Sequence, residues 1–216
     1  MDSDARKNLI YFIYYDGTLN HFHVLNLRFL QEYWNVFDGQ RIVKIAVKGD
    51  YSLAPIVDML PKDCDYRVVK NDAKFGECTH FLDSLVEING GMTFYAHCKG
   101  VTRPQWSGLN IWITHLYRKN LTTPPVLGDK MFAGVCAKLL PCPPYVPYPF
   151  HYSGSFYWFA TDKVKARLKN FELSLDKYLT EQFPGIMANK DECIFGFGSS
   201  DVNHNFYEER TWRYLR

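Results

Sequence analysis

Apolar residues fall along this chain in two rhythms, short unbroken runs and stripes at helical spacing, and over the first hundred residues the two alternate. Residues 8–15 (Asn-Leu-Ile-Tyr-Phe-Ile-Tyr-Tyr) are apolar and aromatic up to the turn signal Asp16-Gly17, which predicts a strand buried on both faces. Over 23–37, Leu27, Leu30, Trp34 and Phe37 share one helical stripe, closed by Asp38-Gly39. A second strand is expected over 41–48 and a short helix over 53–60, stopped by Pro61. A third strand covers 66–70. The spacing of Phe81, Leu82, Leu85 and Ile88 predicts a helix over 77–88, and Gly90-Gly91 introduces a fourth strand over 92–97. Strand and helix alternating with short connections predict the α/β class: a Rossmann-type, mixed but mostly parallel central sheet flanked by helices.

Beyond residue 103 the pattern loosens. Helices are expected over 110–120 and 130–140, and five prolines within 141–149 rule out regular structure there. An aromatic strand over 150–160 is interrupted by Ser153-Gly154-Ser155, and Thr161-Asp162 starts a helix to 168. A further helix over 173–183 ends at Pro184-Gly185, and a last segment begins at Glu192. At 216 residues the chain has the size of one domain. It divides into a regular half, 8–103, and an irregular half, 104–216.

A formal charge of +2 argues against a dedicated nucleic-acid binder, which carries a broad basic face. No run of eighteen apolar residues occurs and no apolar leader follows the first residues, so a chain without a transmembrane segment, working in the cytoplasm, is expected. Six cysteines without a CxxC frame suit reduced thiols better than a disulfide scaffold or a zinc site. Cys98 is read as a small residue between functional neighbours. Fifteen tyrosines, sixteen phenylalanines and five tryptophans exceed what many cores use, and flat rings also stack on sugars and bases.

Chemistry concentrates where the fourth strand ends, at His97-x-Lys99-Gly100 with Arg103 following. Ligands of open α/β sheets lie outside the carboxyl ends of the strands, and a cationic cluster there suits the phosphates of a nucleotide. The plain alternative is a solvated basic loop. Tyr14 and Asp16, at the end of the first strand, offer a ring and a carboxylate to a nucleoside. Asn71 and Gly76 bracket a loop before the third helix, whose first amides are natural anion donors. His151, Ser153, Gly154, Ser155, Tyr157 and Trp158 combine small hydroxyls with aromatic faces, a sugar-binding composition; the alternative is a bulged edge strand. Glu77, Asp162, Glu181 and Glu192 are candidate bases or nucleophiles, with Glu77, Asp162 and Glu192 taken as the catalytic set. His97 and His151 are the candidate metal ligands. Asp63-Cys64-Asp65 is an Asp-x-Asp ahead of the third strand, at the amino edge of the sheet, and is read as a turn.

On His97, Lys99 and Gly100, then His151, Tyr152, Ser153, Gly154, Ser155, Phe156, Tyr157 and Trp158, the chain resembles nucleotide-sugar glycosyltransferases of the GT-A fold. The likeness is to compact domains encoded by chlorella-type large DNA viruses and bacterial polysaccharide loci. It implies a GT-A-like sheet, a nucleotide-sugar donor (a UDP sugar) across the ends of strands one to four, a glycan acceptor on the second half, and often Mn²⁺ or Mg²⁺ on the diphosphate. The Asp-x-Asp usual after strand four is His97-Cys98-Lys99 here. Such domains are often the first module of a longer polypeptide, and a viral one works in the host cytoplasm. The absence of an evident general base leans the reading towards retention of configuration. Rival readings are a non-catalytic carbohydrate-binding module and a sugar nucleotidyltransferase. The latter usually carries a glycine-rich loop where this chain has Asp16-Gly17-Thr18-Leu19.

Overall fold

The computed structural model describes residues 6–103, 105, 108–139, 148–173 and 177–199. Its centre is an eight-stranded mixed sheet. Strands β1 (Lys7–Tyr15), β2 (Arg41–Val47), β3 (Tyr66–Lys70) and β4 (Met92–His97) are mutually parallel in the order β3-β2-β1-β4. Helices α1 (His21–Glu32), α2 (Ala54–Val57) and α3 (Cys78–Glu87) connect them. The first hundred residues therefore fold as their pattern predicts. One difference is that the long stripe over 23–37 splits into α1 and a 3-10 turn, Trp34–Val36.

After α4 (Leu109–Leu121) the sheet turns mixed. Strand β5 (Phe132–Lys138) is followed by β6 (His151–Tyr152) and β7 (Tyr157–Ala160). Strand β7 pairs antiparallel with both β4 and β5, β6 pairs antiparallel with β5, and β8 (Cys193–Ser199) lies parallel to β5. Strands β6 and β7 are two pieces of one interrupted strand, as Ser153-Gly154-Ser155 predicts. Between Gly134 and Ala137 of β5 the partner runs from Tyr157 to Tyr152, so two extra residues are accommodated in the break. Cys136 and Ser155 both take a left-handed backbone there, at φ 57° and 59°.

Two expected helices need correction. Residues 130–140 hold strand β5, whose Phe-Ala-Gly-Val-Cys-Ala run is buried throughout. A short apolar run has no periodicity to separate strand from buried helix, and here the sheet supplies partners on both sides. Helix α6 spans Leu179–Met187 and passes through Pro184 rather than stopping before it. Proline removes the N–H that would bond the carbonyl four residues back. That carbonyl, on Thr180, accepts the Tyr157 hydroxyl instead, at 2.9 Å. The proline-rich stretch 141–147 lies outside the described residues, as does the tail from 200.

Alternate residues of each central strand feed two cores. Leu9, Tyr11, Ile13, Phe94 and Trp158 pack under α1 and α4, while Ile10, Tyr95, Tyr157 and Phe159 pack under α3, α5 (Thr161–Leu168) and α6. With helices on both faces, the carboxyl ends of the parallel strands are left as the place for a cleft.

Candidate active site

A cleft of about 700 Å³ opens at that end of the sheet. Its floor is the end of β4. His97, the last residue of that strand, sets Nδ1 2.5 Å from Glu77 Oε2 at the start of α3, and Glu77 Oε1 accepts the Thr180 hydroxyl at 2.9 Å. Burial pushes the Glu77 carboxyl up, but the charge and hydrogen bond of His97, with Tyr95 and Thr180 nearby, outweigh it and hold the group down to about 2. Glu77 is an ionised, engaged carboxylate. On the opposite wall His151 Nε2 lies 3.9 Å from Glu181 Oε1, which also accepts the Gly154 N–H at 3.2 Å. Burial lowers the His151 pKa, against the pull of Glu181. The second ring nitrogens, His97 Nε2 and His151 Nδ1, are enclosed without a hydrogen-bond partner among the described residues.

The cationic loop after β4 is held from beneath by α1. Asn26, fully buried, accepts the Lys99 N–H on Oδ1 at 3.1 Å and donates from Nδ2 to the Lys99 carbonyl at 2.9 Å and to Phe22 at 2.6 Å. Its Oδ1 also accepts from Tyr117, whose hydroxyl lies 2.6 Å from that of Tyr11. Six residues earlier, Asn20 caps α1 with Oδ1 and donates from Nδ2 to the Val101 carbonyl at 2.8 Å. His23 completes that cap and donates from Nε2 to the carbonyl of Tyr14. Thus the first two turns of α1 fix both Tyr14 and the loop over 98–101. The Lys99 ammonium stands 4.6 Å from the centre of the Trp112 ring, a cation–π distance. Gly100 is at φ 85°, and a Cβ there would come within 3.1 Å of Leu109. Cys98 is buried against Tyr11, and burial pushes its thiol up to about 12, which suits a packing residue and not a nucleophile.

Several sequence-predicted residues meet here: Tyr14, Asn71, Gly76, Glu77, His97, Lys99, Gly100, Arg103, His151 and Ser153 all line the cleft. Gly154 and Ser155 are buried and are not among the lining residues. Asp16 does not join them; exposed at the end of β1, its carboxylate accepts the Thr18 N–H and forms a turn. Tyr157 and Trp158 are fully buried, bonded to the Thr180 and Asn120 carbonyls, because their strand lies inside the sheet with both faces covered. The expectation that these two rings stack on a sugar is therefore corrected.

Two of the expected catalytic carboxylates also sit elsewhere. Asp162, exposed in the first turn of α5, accepts the Gly90 N–H beside the amino end of β4. Glu192 is gripped by Arg167 through both guanidinium nitrogens, at 2.8 and 2.5 Å, and its carbonyl bonds Met131 at the start of β5. Both stand at the amino edge of the sheet, away from the cleft. Asp63 belongs to that edge too, bonded to Trp34 and Arg41, so the Asp-x-Asp is structural.

Lys138, Lys177 and Tyr178 line the cleft without having been singled out in the sequence. Lys138 ends β5, which was expected to be helix. Asn26 was missed because its partner is 73 residues away; the available signal was an amide placed beside Leu27 on an apolar stripe. His97 and His151, the expected metal ligands, both reach the cleft, each beside a carboxylate, a pairing that also orients metal-ligating histidines. No group of three or more His, Cys, Asp or Glu able to hold a metal occurs among the described residues.

No family model matches this chain, and no curated protein matches it in sequence. Among solved structures it resembles 4-diphosphocytidyl-2C-methyl-D-erythritol synthase from Anaerococcus prevotii at a TM-score of 0.48 and 13% identity, over 98% of this chain and 99% of that one. It resembles glucosyl-3-phosphoglycerate synthase from Mycobacterium tuberculosis, in complex with UDP, at 0.47 and 11%, over 93% and 73%. It also resembles CMP:2-keto-3-deoxy-manno-octonic acid synthetase, in complex with CTP, at 0.43 and 11%, over 89% and 90%. At that distance the likenesses assign no activity. The α/β sheet with its parallel core stands on the chain's own strand pairing.

Proposed function

We propose that this chain is a glycosyltransferase that moves a sugar from a nucleoside diphosphate sugar, a UDP sugar first among them, to a glycan hydroxyl. The observation that carries this reading is the cleft at the carboxyl ends of β1 and β4, which faces a ligand with Lys99, Arg103, Lys138 and Lys177 around the Glu77–His97 pair. In this reading Tyr14 and Asn71 flank the nucleoside, and Lys99, Gly100 and Arg103 receive the diphosphate, whose charge grows as the sugar leaves. Ser153 and His151 face the sugars. Glu181, beside His151, is the carboxylate placed to take the acceptor's proton, whereas Glu77 is engaged in holding His97. With Glu181 read as that base, the lean towards retention, which rested on the lack of one, is dropped. No helix among the described residues is long and apolar enough to cross a membrane, and we place the reaction in the cytoplasm, with the chain working alone or as one module of a longer polypeptide.

Thermal shift of the chain across nucleoside diphosphates and their sugars, followed by transfer assays with radiolabelled donors, tests this. Stabilisation by one nucleotide family, with label moving to a glycan, is expected. A panel giving no shift, hydrolysis or transfer overturns the reading. A nucleoside triphosphate plus sugar phosphate yielding pyrophosphate would identify a nucleotidyltransferase instead.

A further inference from the structure

The histidine on the floor of the cleft belongs to one half of the fold and is steadied by the other. His97 ends β4, and its Nδ1 is committed to Glu77 Oε2. Glu77 Oε1 accepts the Thr180 hydroxyl, which comes from the first turn of α6, 103 residues further along the chain. The Cys78 thiol, next in sequence to Glu77, lies against the first amides of α6, at Leu179 and Thr180. The His97 ring also meets Phe156, from the break between β6 and β7, edge to face with ring centres 5.8 Å apart. With Nδ1 taken, Nε2 is the remaining polar atom of the ring. It has no hydrogen-bond partner among the described residues, and the ring lines the cleft. A ring nitrogen orphaned at such a place calls for a ligand atom as its partner.

Thr180 is itself tightly held. It is buried, and its carbonyl accepts the Tyr157 hydroxyl at 2.9 Å in the place that Pro184, having no N–H, cannot fill. Tyr157 sits on β7 opposite Tyr95 of β4, two residues before His97. The strand beside that of His97 therefore fixes the helix residue that holds the partner of His97. Threonine is stiff about its first side-chain bond, so a fixed backbone leaves its hydroxyl few directions. A valine here would keep the shape and leave Glu77 Oε1 without this donor, freeing the carboxylate to turn away from Nδ1.

Building on the nucleotide-sugar reading above, we propose that Thr180 is a positioning residue: through Glu77 it sets the His97 ring so that Nε2 meets the bound nucleotide. Proton and nitrogen magnetic resonance of the histidine rings in the full chain tests the first link without any ligand. The Nδ1 proton shared with Glu77 is expected as a low-field signal, identified by its loss in His97→Gln. Thr180→Val should move or abolish that signal and Thr180→Ser should restore it. A signal unchanged in Thr180→Val overturns the proposal. Should Thr180→Val fold poorly, Thr180→Cys, which puts a weak donor in place of the hydroxyl, gives the same readout. Calorimetric titration with UDP, GDP, CDP and dTDP in MnCl₂ tests the second link. Thr180→Val is expected to weaken the nucleotide that binds about tenfold, Thr180→Ser to recover most of that loss, and Thr180→Val to add less than about twofold on a His97→Gln background. Losses that simply add in the double variant overturn the proposal and leave the nucleotide reading intact. If no nucleotide binds, that reading and the second link fall together, while the ring signal still decides whether Thr180 holds His97.

Discussion

The two halves of the sheet hold their functional groups in different ways. In the parallel half, the residues that face the cleft lie at or just beyond the end of a strand, and side-chain amides lock the loop after β4: Asn20 and Asn26 fix the carbonyls of Val101 and Lys99. In the second half, the cleft wall is an interruption of a strand, with Ser153 and Gly154 in the gap and Glu181 reaching in from α6. The first half presents a preset charge. The second presents a shape made by a break in hydrogen bonding, and its aromatic residues serve the core. In this fold, then, aromatic richness tells of packing, and the cations and amides mark the site.

The sharpest way to break that contrast is Trp158→Ala. If the ring is core, as its complete burial and its bond to the Asn120 carbonyl indicate, the variant loses about 3–5 kcal/mol in chemical denaturation. A variant that kept its stability and lost only glycan affinity would return the ring to the site. Next in size is Asn26→Leu, which removes the amide's bonds to the Lys99 N–H and carbonyl and leaves the Tyr117 hydroxyl with Tyr11. It should cost about 2–4 kcal/mol, a fall of roughly 5–15 °C in melting temperature, and weaken nucleotide binding in the fraction still folded.

A pair of carboxylates sharpens the comparison through pH. Glu77 and Glu192 are both held at about 2 against an ordinary 4.5, Glu77 by His97 against the cost of burial and Glu192 by the hydrogen bonds of Arg167. A depressed carboxyl stabilises the fold fully above its unfolded pKa and loses that contribution as the pH falls through its folded value. Each Glu→Gln change should therefore lower stability just above about pH 4.5, and the gap to the parent should close towards pH 2 in acid titrations followed by circular dichroism. Only Glu77→Gln should also change nucleotide affinity, because Glu192 stands at the far edge of the sheet. Equal effects of the two on binding would sink the assignment of Glu77 to the cleft. The smallest effect is expected of Gly100→Ala. Its backbone at φ 85° and the nearby Leu109 cost about 1–2 kcal/mol, read from the denaturation midpoint.

The parallel half was legible because strands buried on both faces are unbroken apolar runs and their helices carry a single stripe. Lys99, Gly100 and His97 followed from the place where such a run stops. Strand β5 was not legible, since Phe-Ala-Gly-Val-Cys-Ala is as good a buried helix as a strand until its neighbours are known. Helix α6 hid behind Pro184, whose usual cost is offset by a hydroxyl from a different strand. Tyr157 and Trp158 misled for a related reason. Alternation tells which faces two residues occupy, but not that helices cover both. Asp162 and Glu192 were placed by chemistry alone, and only the strand directions show that they lie at the wrong end.

The two-residue slip between β6 and β7 gives the sheet a tolerance that its other strands lack. Tyr152 and His151 are paired on one side of the gap and Tyr157 to Phe159 on the other, so the stretch over 153–156 has ends anchored independently. A residue added or lost there would leave the inward and outward positions of the flanking strands unchanged, whereas one residue more or less inside β1 or β4 would invert the face of every position beyond it.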